Sequence, residues 1–340
     1  MGIVFVGIPT VNRPRYVRET IRSVLDQTFR DIRVLVSDNV SDPPIADSVE
    51  RFVRQVNDPR IGFHRQPEDV GEYGQGRLFL QRASTAEFFV MLHDDDVLKP
   101  TYLEKAISRM TENPSLAYFV ANPFLMDAGG RSSGVATRRY LSRCGRIGQP
   151  EGVIDVLSKH FRCGFTPISG TFFRTQSLRD SGFVDDDLTG SYPFEPNVLL
   201  RLGERGARAW FCPEELLGFR FHSGSQTSYA RMVENPQVVI STLKLFERRR
   251  FTGTNERRRR IIVGRLYRAL AVIRLKTGDN RGCRENMLMA LRRNPLSLRS
   301  FVTAPFVLTV PGLLRMILPP LPAARSRPEY AEGKAGPLME

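Results

Sequence analysis

The chain has 340 residues, of which 41% are hydrophobic and 25% are charged. These proportions exclude an intrinsically disordered chain and predict one large α/β domain with an appendage, or two smaller domains. The four cysteines have no paired spacing, which argues against a zinc module or a disulfide framework and favours a reducing, cytoplasmic setting. The sequence shows no secretory signal, and its most apolar late stretch, 301–314, is shorter than the roughly 20 residues that span a bilayer.

The net charge of +14 is concentrated towards the C-terminus. Residues 1–230 carry equal numbers of acidic and basic side chains, whereas residues 231–300 carry a net charge of +13. This asymmetry predicts a domain over 1–230, a basic helical extension over 231–321 and a disordered tail at 322–340. The basic helices can lie on an anionic membrane surface, at the inner face of the cytoplasmic membrane, or pack on the first domain with a solvated basic face. Nucleic-acid binding is disfavoured because no recognised module or aromatic platform accompanies the charge.

Strands and helices alternate along the first 125 residues. The strand candidates are continuous apolar runs, as expected for strands that are buried on both faces of a sheet. This rhythm predicts a mainly parallel sheet with helices on both sides. Strands are predicted at 3–8, 32–36, 61–65, 88–92 and 117–120, and helices from Pro14, at 46–56, at 75–84 and from Pro100 to Met110.

The second half of the domain is less regular. Residues 126–165 are basic, rich in Gly and Ser and poorly periodic, and they are predicted to form a loop region across the active face. Regular patterns return at 168–173, in a helix near 194–205 and in a short strand at 209–210.

Polar residues follow three of the predicted strands. The segment from Pro9 to Arg13 follows the first strand, Asp38 and Asn39 follow the second, and the acidic triplet 94–96 follows the strand at 88–92. Ligands bind beyond the carboxyl ends of the strands in such sheets. Carboxylates that converge there can accept hydrogen bonds from a ribose and a base and can coordinate Mg²⁺ or Mn²⁺. Taken alone, the triplet is equally well interpreted as a solvated acidic turn, and Asp38 as an ordinary turn residue.

In combination, these segments resemble the signature of family 2 glycosyltransferases. The resemblance is carried by residues 8–14, 36–42 and 89–96, with Pro100 following, and it extends over about residues 1–230. It implies the GT-A fold, a Rossmann-like α/β architecture with a nucleotide-binding half at 1–125 and an acceptor-side half at 126–230. It also implies an inverting enzyme that uses Mn²⁺ or Mg²⁺ as cofactor. The implied reaction moves one sugar from a nucleotide-diphospho-sugar to a hydroxyl of a glycan or lipid-linked acceptor, in cell-surface polysaccharide or glycolipid synthesis.

The resemblance also implies roles for individual residues. Asp38 would bind the base, Asp94 would approach the ribose, and Arg77 is a candidate for the diphosphate. Asp95 would be the chief metal ligand with Asp96 beside it, while His93 stands where the commonest family pattern has a carboxylate. The implied nucleotide site is completed by Pro9, Thr10, Asn12 and Arg13.

On the acceptor side, Glu195 falls at the position of the family's catalytic base, and Phe194 replaces a carboxylate. Glu195 can instead be an ordinary exposed residue at the start of a helix, where the helix dipole favours an acidic side chain. Residues 219–223 resemble the segment that returns a His towards the diphosphate or metal, which makes His222 a third metal candidate.

Two other functions are compatible with these features. A nucleotidyltransferase also pairs an α/β sheet with metal-binding carboxylates, but the segment after the first strand lacks its Gly-rich phosphate loop. A non-catalytic nucleotide-sugar-binding protein would keep the donor site and lack the base. A processive polymer synthase is disfavoured, since the sequence has neither long transmembrane segments nor a Gln-x-x-Arg-Trp motif.

Overall fold

A computed structural model describes residues 3–163, 165–222 and 235–295 of the chain. The chain divides into two compact units between Ser225 and Gln226. The predicted domain boundary at residue 230 and the predicted tail at 322–340 lie outside the described residues. Among the described residues, no helix is both long enough and apolar enough to cross a bilayer.

The first half of the N-terminal unit alternates strands and helices as predicted. The strands are buried along most of their length, and α1 and α2 each begin with a proline in the first turn, where its missing N–H costs nothing. The elements are β1 (Val4–Thr10), α1 (Pro14–Leu25), β2 (Ile32–Asp38), α2 (Pro43–Val56), β3 (Ile61–Arg65), α3 (Gly71–Arg82), β4 (Phe88–Met91), β5 (Val97–Leu98), α4 (Tyr102–Glu112) and β6 (Tyr118–Met126).

The second half is more regular than the sequence analysis predicted. The expected loop region at 126–165 is wrong, because it forms α5 (Gly134–Arg143), β7 (Gly152–Asp155) and α6 (Val156–Cys163). Helix α5 buries only Ala136, Thr137 and Leu141, so its hydrophobic periodicity is too weak to recognise. The remaining elements are β8 (Phe172–Arg174), α7 (Thr175–Asp180), α8 (Phe194–Glu204) and β9 (Arg208–Arg220).

The strands form one nine-stranded sheet in the order β3-β2-β1-β4-β8-β6-β9-β5, with β7 paired to β9. Strands β1 to β4 are parallel to one another, β6 is parallel to β9, and β8 is antiparallel to both β4 and β6. The expected α/β sheet flanked by helices is therefore confirmed. Two reversals across β8 make β6 parallel to β4, so the carboxyl ends of β1, β2, β4 and β6 lie along the same edge.

The described part of the second unit consists of three helices, α9 (Pro236–Glu247), α10 (Gly253–Lys276) and α11 (Asn280–Arg293). A small core joins α10 to α11 through Ala271, Leu275, Cys283, Met287 and Ala290. Not every arginine of this unit is at the surface, since Arg259 is buried against Glu256 and the carbonyl of Phe246.

Candidate active site

The three polar segments predicted to converge lie side by side at one edge of the sheet. Strands β1 and β2 end together, because Thr10 is the register partner of Asp38. The N–H of Leu92 donates to the carbonyl of Gly7, which brings the triplet from the end of β4 to the same place. This edge therefore joins residues that are more than 80 positions apart in the chain.

Asp94 is held by residues of β1 and of the loop that follows it. The hydroxyl of Thr10 donates to Asp94 Oδ2 over 2.8 Å, and the guanidinium of Arg13 donates to Asp94 Oδ1 over 2.8 Å. Arg13 also reaches Asp95 Oδ2 over 3.0 Å. Arg13 and the two carboxylates are all buried, so they form desolvated ion pairs. These ion pairs hold the triplet in a fixed conformation. Burial still raises the pKa of Asp94.

Asp38 has a buried oxygen that faces no donor. Its side chain is fully buried, and Oδ2 accepts a hydrogen bond from the N–H of Ser41 over 3.1 Å. Oδ1 has no hydrogen-bond partner within the described ranges. A buried carboxylate oxygen without a donor is costly unless a ligand supplies one. Asp38 is therefore suited to accept a hydrogen bond from a bound N–H group.

Three other residues predicted for the nucleotide have structural contacts. Asn12 adopts a positive φ of 53° and joins two loops: its N–H donates to Ser41 Oγ, and its Oδ1 accepts from the N–H of Asp42. Pro9 is half-buried within β1. The guanidinium of Arg77 donates to the carbonyls of Asp185 and Leu188, which places it on the turn that precedes α8.

His93, Asp95 and Asp96 form a group whose ligand atoms all lie within 4.8 Å of one another. Nε2 of His93 is buried and has no hydrogen-bond partner in the part of the chain that the structure describes. Imidazole and carboxylate ligands together suit a divalent first-row ion such as Mn²⁺. The residues present therefore fit the predicted cofactor, and His93 is a candidate ligand in addition to the predicted Asp95, Asp96 and His222.

The two carboxylates of this group differ in their electrostatics. Burial and the adjacent charge of Asp95 together raise the pKa of Asp96 to about 7. Burial also acts on Asp95, but Arg13 and His222 outweigh it and hold its pKa below the usual range. Nε2 of His222 lies 3.0 Å from Asp95 Oδ2, so His222 directly contacts the candidate ligand Asp95. Asp95 is therefore the carboxylate that stays ionised.

Arg220 donates hydrogen bonds to two residues of the acidic triplet. Its N–H donates to Asp96 Oδ1 over 3.1 Å and its Nε to the carbonyl of Asp95 over 3.0 Å. The guanidinium is paired with Glu19 on α1 over 2.5 Å, which compensates for its burial. The hydroxyl of Thr20 lies within 2.8 Å of the carbonyls of Asp94 and Asp96. The acidic turn is thus fixed from both sides.

Glu195 lies in the first turn of α8 and is half-buried. Its Oε2 accepts a hydrogen bond from the N–H of Ile168 over 2.9 Å. Burial raises the pKa of Glu195 to about 7, which is the range that suits a general base at neutral pH. Phe194, in contrast, is buried against Tyr73 and Phe183, and Gly76 leaves the space for its ring. The departure from the family's carboxylate at Phe194 is therefore a packing substitution.

Residues 165–171, here called the bridging segment, connect Glu195 to the group of His93, Asp95 and Asp96. That group is called the metal group below. Ile168 holds Glu195, while the hydroxyl of the next residue, Ser169, donates to Asp96 Oδ2 over 2.6 Å and accepts from the N–H of His93. The N–H of Gly170 donates to the carbonyl of Met91, at the end of β4. Sequence reasoning assigned residues 168–173 to a regular element, whereas β8 begins only at Phe172, and no local pattern links Ser169 to Asp96.

Glu72 is a second residue that sequence reasoning missed. It lies in the first turn of α3, and its Oε1 is 3.9 Å from Nε2 of His93. Both side chains are about 30% exposed, so solvent reaches this pair. Burial raises the pKa of Glu72, and its charge in turn raises the pKa of Glu195. Glu72 therefore lies between the metal group and the candidate base.

The comparison with known proteins agrees with this geometry. A sequence profile of Glycosyl transferase family 2 matches residues 5–149, which contain both the Asp38 loop and the acidic triplet. This part of the chain therefore resembles glycosyltransferase family 2. Among curated members of the family, the chain is 28% identical over 158 residues to a GalNAc(5)-diNAcBac-PP-undecaprenol beta-1,3-glucosyltransferase of Campylobacter jejuni. That match covers 46% of this chain and 49% of the relative, and the chain spans less than half the length of each curated relative that was compared.

Solved structures confirm the GT-A fold. The chain resembles residues 1–349 of TarS of S. aureus in complex with UDP-GlcNAc, with a TM-score of 0.62 and 14% identity, over 90% of this chain and 86% of that one. It also resembles the mannosyltransferase PcManGT of Pyrobaculum calidifontis in complex with GDP-Man and Mn²⁺, with a TM-score of 0.56 and 14% identity, over 93% and 87%. At these identities the likeness establishes the fold alone.

Proposed function

We propose that this protein is a metal-dependent, inverting glycosyltransferase that moves one sugar from a nucleotide-diphospho-sugar to a hydroxyl of a glycan or lipid-linked acceptor. The proposal rests on the bridging segment, which contacts two different parts of the site. On one side, Asp38 has a free buried oxygen and His93, Asp95 and Asp96 can hold a cation. On the other, Glu195 has a pKa of about 7.

The donor side binds the nucleotide and the diphosphate. Asp38 accepts an N–H of the base at Oδ1, and Asp94, fixed by Thr10 and Arg13, faces the ribose. His93, Asp95 and Asp96 would hold a divalent ion, which would supply positive charge to offset the charge on the diphosphate leaving group. The structures of TarS with UDP-GlcNAc and of PcManGT with GDP-Man and Mn²⁺ support a nucleotide-sugar donor and Mn²⁺.

The acceptor side supplies the base. Glu195 removes a proton from the acceptor hydroxyl. The oxygen of that hydroxyl attacks the anomeric carbon from the face opposite the nucleoside diphosphate, which leaves. Its hydrogen bond from Ile168 leaves Oε1 for this proton and fixes the carboxylate. A single displacement inverts the anomeric centre. The name of the Campylobacter relative includes undecaprenol, which supports a lipid-linked acceptor.

We also propose that the basic second unit contacts an anionic membrane surface, at the inner face of the cytoplasmic membrane. Exposed arginines on α10 and α11 support this contact, and Leu288 is 44% exposed between Arg284 and Arg292. Basic helices with apolar positions bind such surfaces through both charge and partial insertion.

A donor screen tests the reaction. The full chain is incubated with a panel of nucleotide-diphospho-sugars and Mn²⁺, and nucleotide release is measured with and without EDTA. We expect release from at least one donor, lost with EDTA and in Asp95→Asn, and kept in the matched control Asp31→Asn, whose side chain is exposed. Normal release by Asp95→Asn in metal-free buffer would contradict the metal assignment. Binding of nucleotide-sugars with no turnover of any donor would instead indicate a non-catalytic binding protein.

A further inference from the structure

The exposed side of α5 and its flanks is basic and apolar, although Asp127 beside it pairs with Arg131 over 3.4 Å. Residues 128–150 contain five arginines and no Asp or Glu, although the unit as a whole is neutral. Val135 and Ile147 are 76% and 54% exposed, more than the other exposed large hydrophobic residues of the described chain. We call this surface the α5 face, and its exposed residues are Arg131, Val135, Arg138, Arg139, Arg143 and Ile147.

The α5 face is presented by a well-anchored helix. Ser133 caps α5 by accepting a hydrogen bond from the N–H of Ala136. Thr137 Oγ1 donates to the carbonyl of Ser133 and accepts from the N–H of Leu125, which ties the helix to β6. Beyond the helix, the buried guanidinium of Arg146 donates to the carbonyls of Ala121 and Phe165. The exposed side chains therefore project from a fixed backbone.

The α5 face begins at the edge of the sheet that carries the active site. Strand β6 ends at this edge, separated from β4 by β8, and α5 follows β6 after a tight turn. The guanidinium of Arg220, which clamps the triplet, also donates to the carbonyls of Asp127 and Ala128 at the base of this turn. Any partner bound to the α5 face is therefore close to the site.

We propose that the α5 face docks the catalytic unit on an anionic lipid surface. Arginines attract lipid phosphates, while exposed Val135 and Ile147 can enter the boundary between headgroups and acyl chains. A soluble polyanion would need only the charge and would leave these two apolar side chains in water. The placement does not depend on the reaction that the site performs, and it puts a lipid contact on the first unit in addition to the one proposed for the second.

Vesicle co-sedimentation of the full chain tests the proposal. The vesicles contain phosphatidylcholine alone or phosphatidylcholine with about one-third phosphatidylglycerol. We expect binding only to the anionic vesicles. Each arginine near such a surface contributes about fivefold to affinity, so R138Q/R139Q/R143Q should bind about a hundredfold more weakly. The matched control R51Q/R54Q/R82Q removes the same charge from exposed positions elsewhere in the unit and should bind as the wild type.

Two further variants decide the outcome. V135S/I147S should lose the part of the vesicle binding that survives high salt. R138Q alone is the mildest change. It should lower the affinity for anionic vesicles about fivefold and keep the wild-type melting temperature. The proposal is overturned if R138Q/R139Q/R143Q binds anionic vesicles like the wild type, or if only R281Q/R284Q/R292Q on α11 abolishes binding. It is also overturned if heparin competes fully while V135S/I147S has no effect, because the partner would then be a soluble polyanion.

Discussion

The donor side and the acceptor side of the site are built in different ways. On the donor side, Thr10, Arg13, His222 and Arg220 converge on three consecutive carboxylates, and almost every group is buried and paired. On the acceptor side, the half-buried Glu195 is held through one backbone N–H, that of Ile168. The donor side is preorganised for a charged ligand, whereas the acceptor side keeps a carboxylate that can change its protonation state.

This difference follows from the chemistry that each side performs. A buried ion pair such as Arg13 with Asp94 fixes geometry at the cost of desolvation, which suits the recognition of a nucleotide. A base must gain a proton during the reaction, so a strong cation beside Glu195 would lower its pKa and weaken it. The bridging segment lets the two sides keep different electrostatics while it fixes the distance between them.

Replacing the candidate base should produce the largest effect and should affect only the acceptor side. Glu195→Gln keeps the shape of the side chain and can still accept from Ile168, but it cannot take a proton. We expect glycosyl transfer to fall about a thousandfold, while the Kd for the nucleotide with Mn²⁺ stays the same. Steady-state kinetics and calorimetry measure the two quantities. The control is Glu204→Gln, an exposed residue on the same helix; full activity in Glu195→Gln would remove this residue from the mechanism.

Changing Asp38 should affect only the donor side. Asp38→Asn keeps one acceptor oxygen but removes the charge that strengthens a hydrogen bond to the base. A charge-assisted hydrogen bond contributes about 1.5–3 kcal/mol, so nucleotide affinity should fall by roughly tenfold to a hundredfold. Calorimetry with nucleotide and Mn²⁺ measures this loss. Asp42→Asn, an exposed neighbour, should bind normally, and an unchanged affinity in Asp38→Asn would show that the base binds elsewhere.

A change in the bridging segment should affect the donor side and leave the acceptor side intact. Ser169→Ala removes the hydrogen bond to Asp96 and leaves the one from Ile168 to Glu195 in place. Removal of such a partner of a metal ligand typically lowers metal affinity by about tenfold or more. We expect the Mn²⁺ concentration for half-maximal activity to rise by that factor, while the activity at saturating Mn²⁺ changes little. A large loss at saturating Mn²⁺ would show that Ser169 also positions the base.

The smallest expected effect is the pH dependence of the wild type. Glu195 must be deprotonated to act as a base, and burial raises its pKa to about 7. At saturating Mn²⁺, which keeps Asp96 ionised, kcat/KM should rise about tenfold between about pH 6 and pH 8 and then reach a plateau. A flat profile over this range would mean that Glu195 is already ionised at pH 6 or that it is not the base.

The donor side could largely be predicted from the sequence, since its residues lie in short segments directly after apolar strands. Asp38 and the triplet are recognisable because parallel strands bring their carboxyl ends to one edge. The detailed pairing could not be predicted. Arg13, expected at the nucleotide, forms ion pairs with Asp94 and Asp95, and His93 joins Asp95 and Asp96 in the metal group.

The acceptor side could be predicted only at Glu195 itself. Ser169 is 73 residues from its partner Asp96, and Glu72 approaches His93 from another helix. No local pattern connects such residues, because their proximity depends on β8 lying antiparallel beside β4 and on the packing of α3. Helix α5 was missed for a related reason, since its exposed arginines and short buried stripe do not produce a clear helical period.

The stereochemistry of the product tests the central claim most directly. With a donor whose sugar is α-linked to the diphosphate, direct displacement assisted by Glu195 predicts a β-linked product from the first turnover onward. Proton NMR of the anomeric signal distinguishes the two configurations during the reaction. An α-linked product would contradict the single displacement and the role of Glu195 as its base.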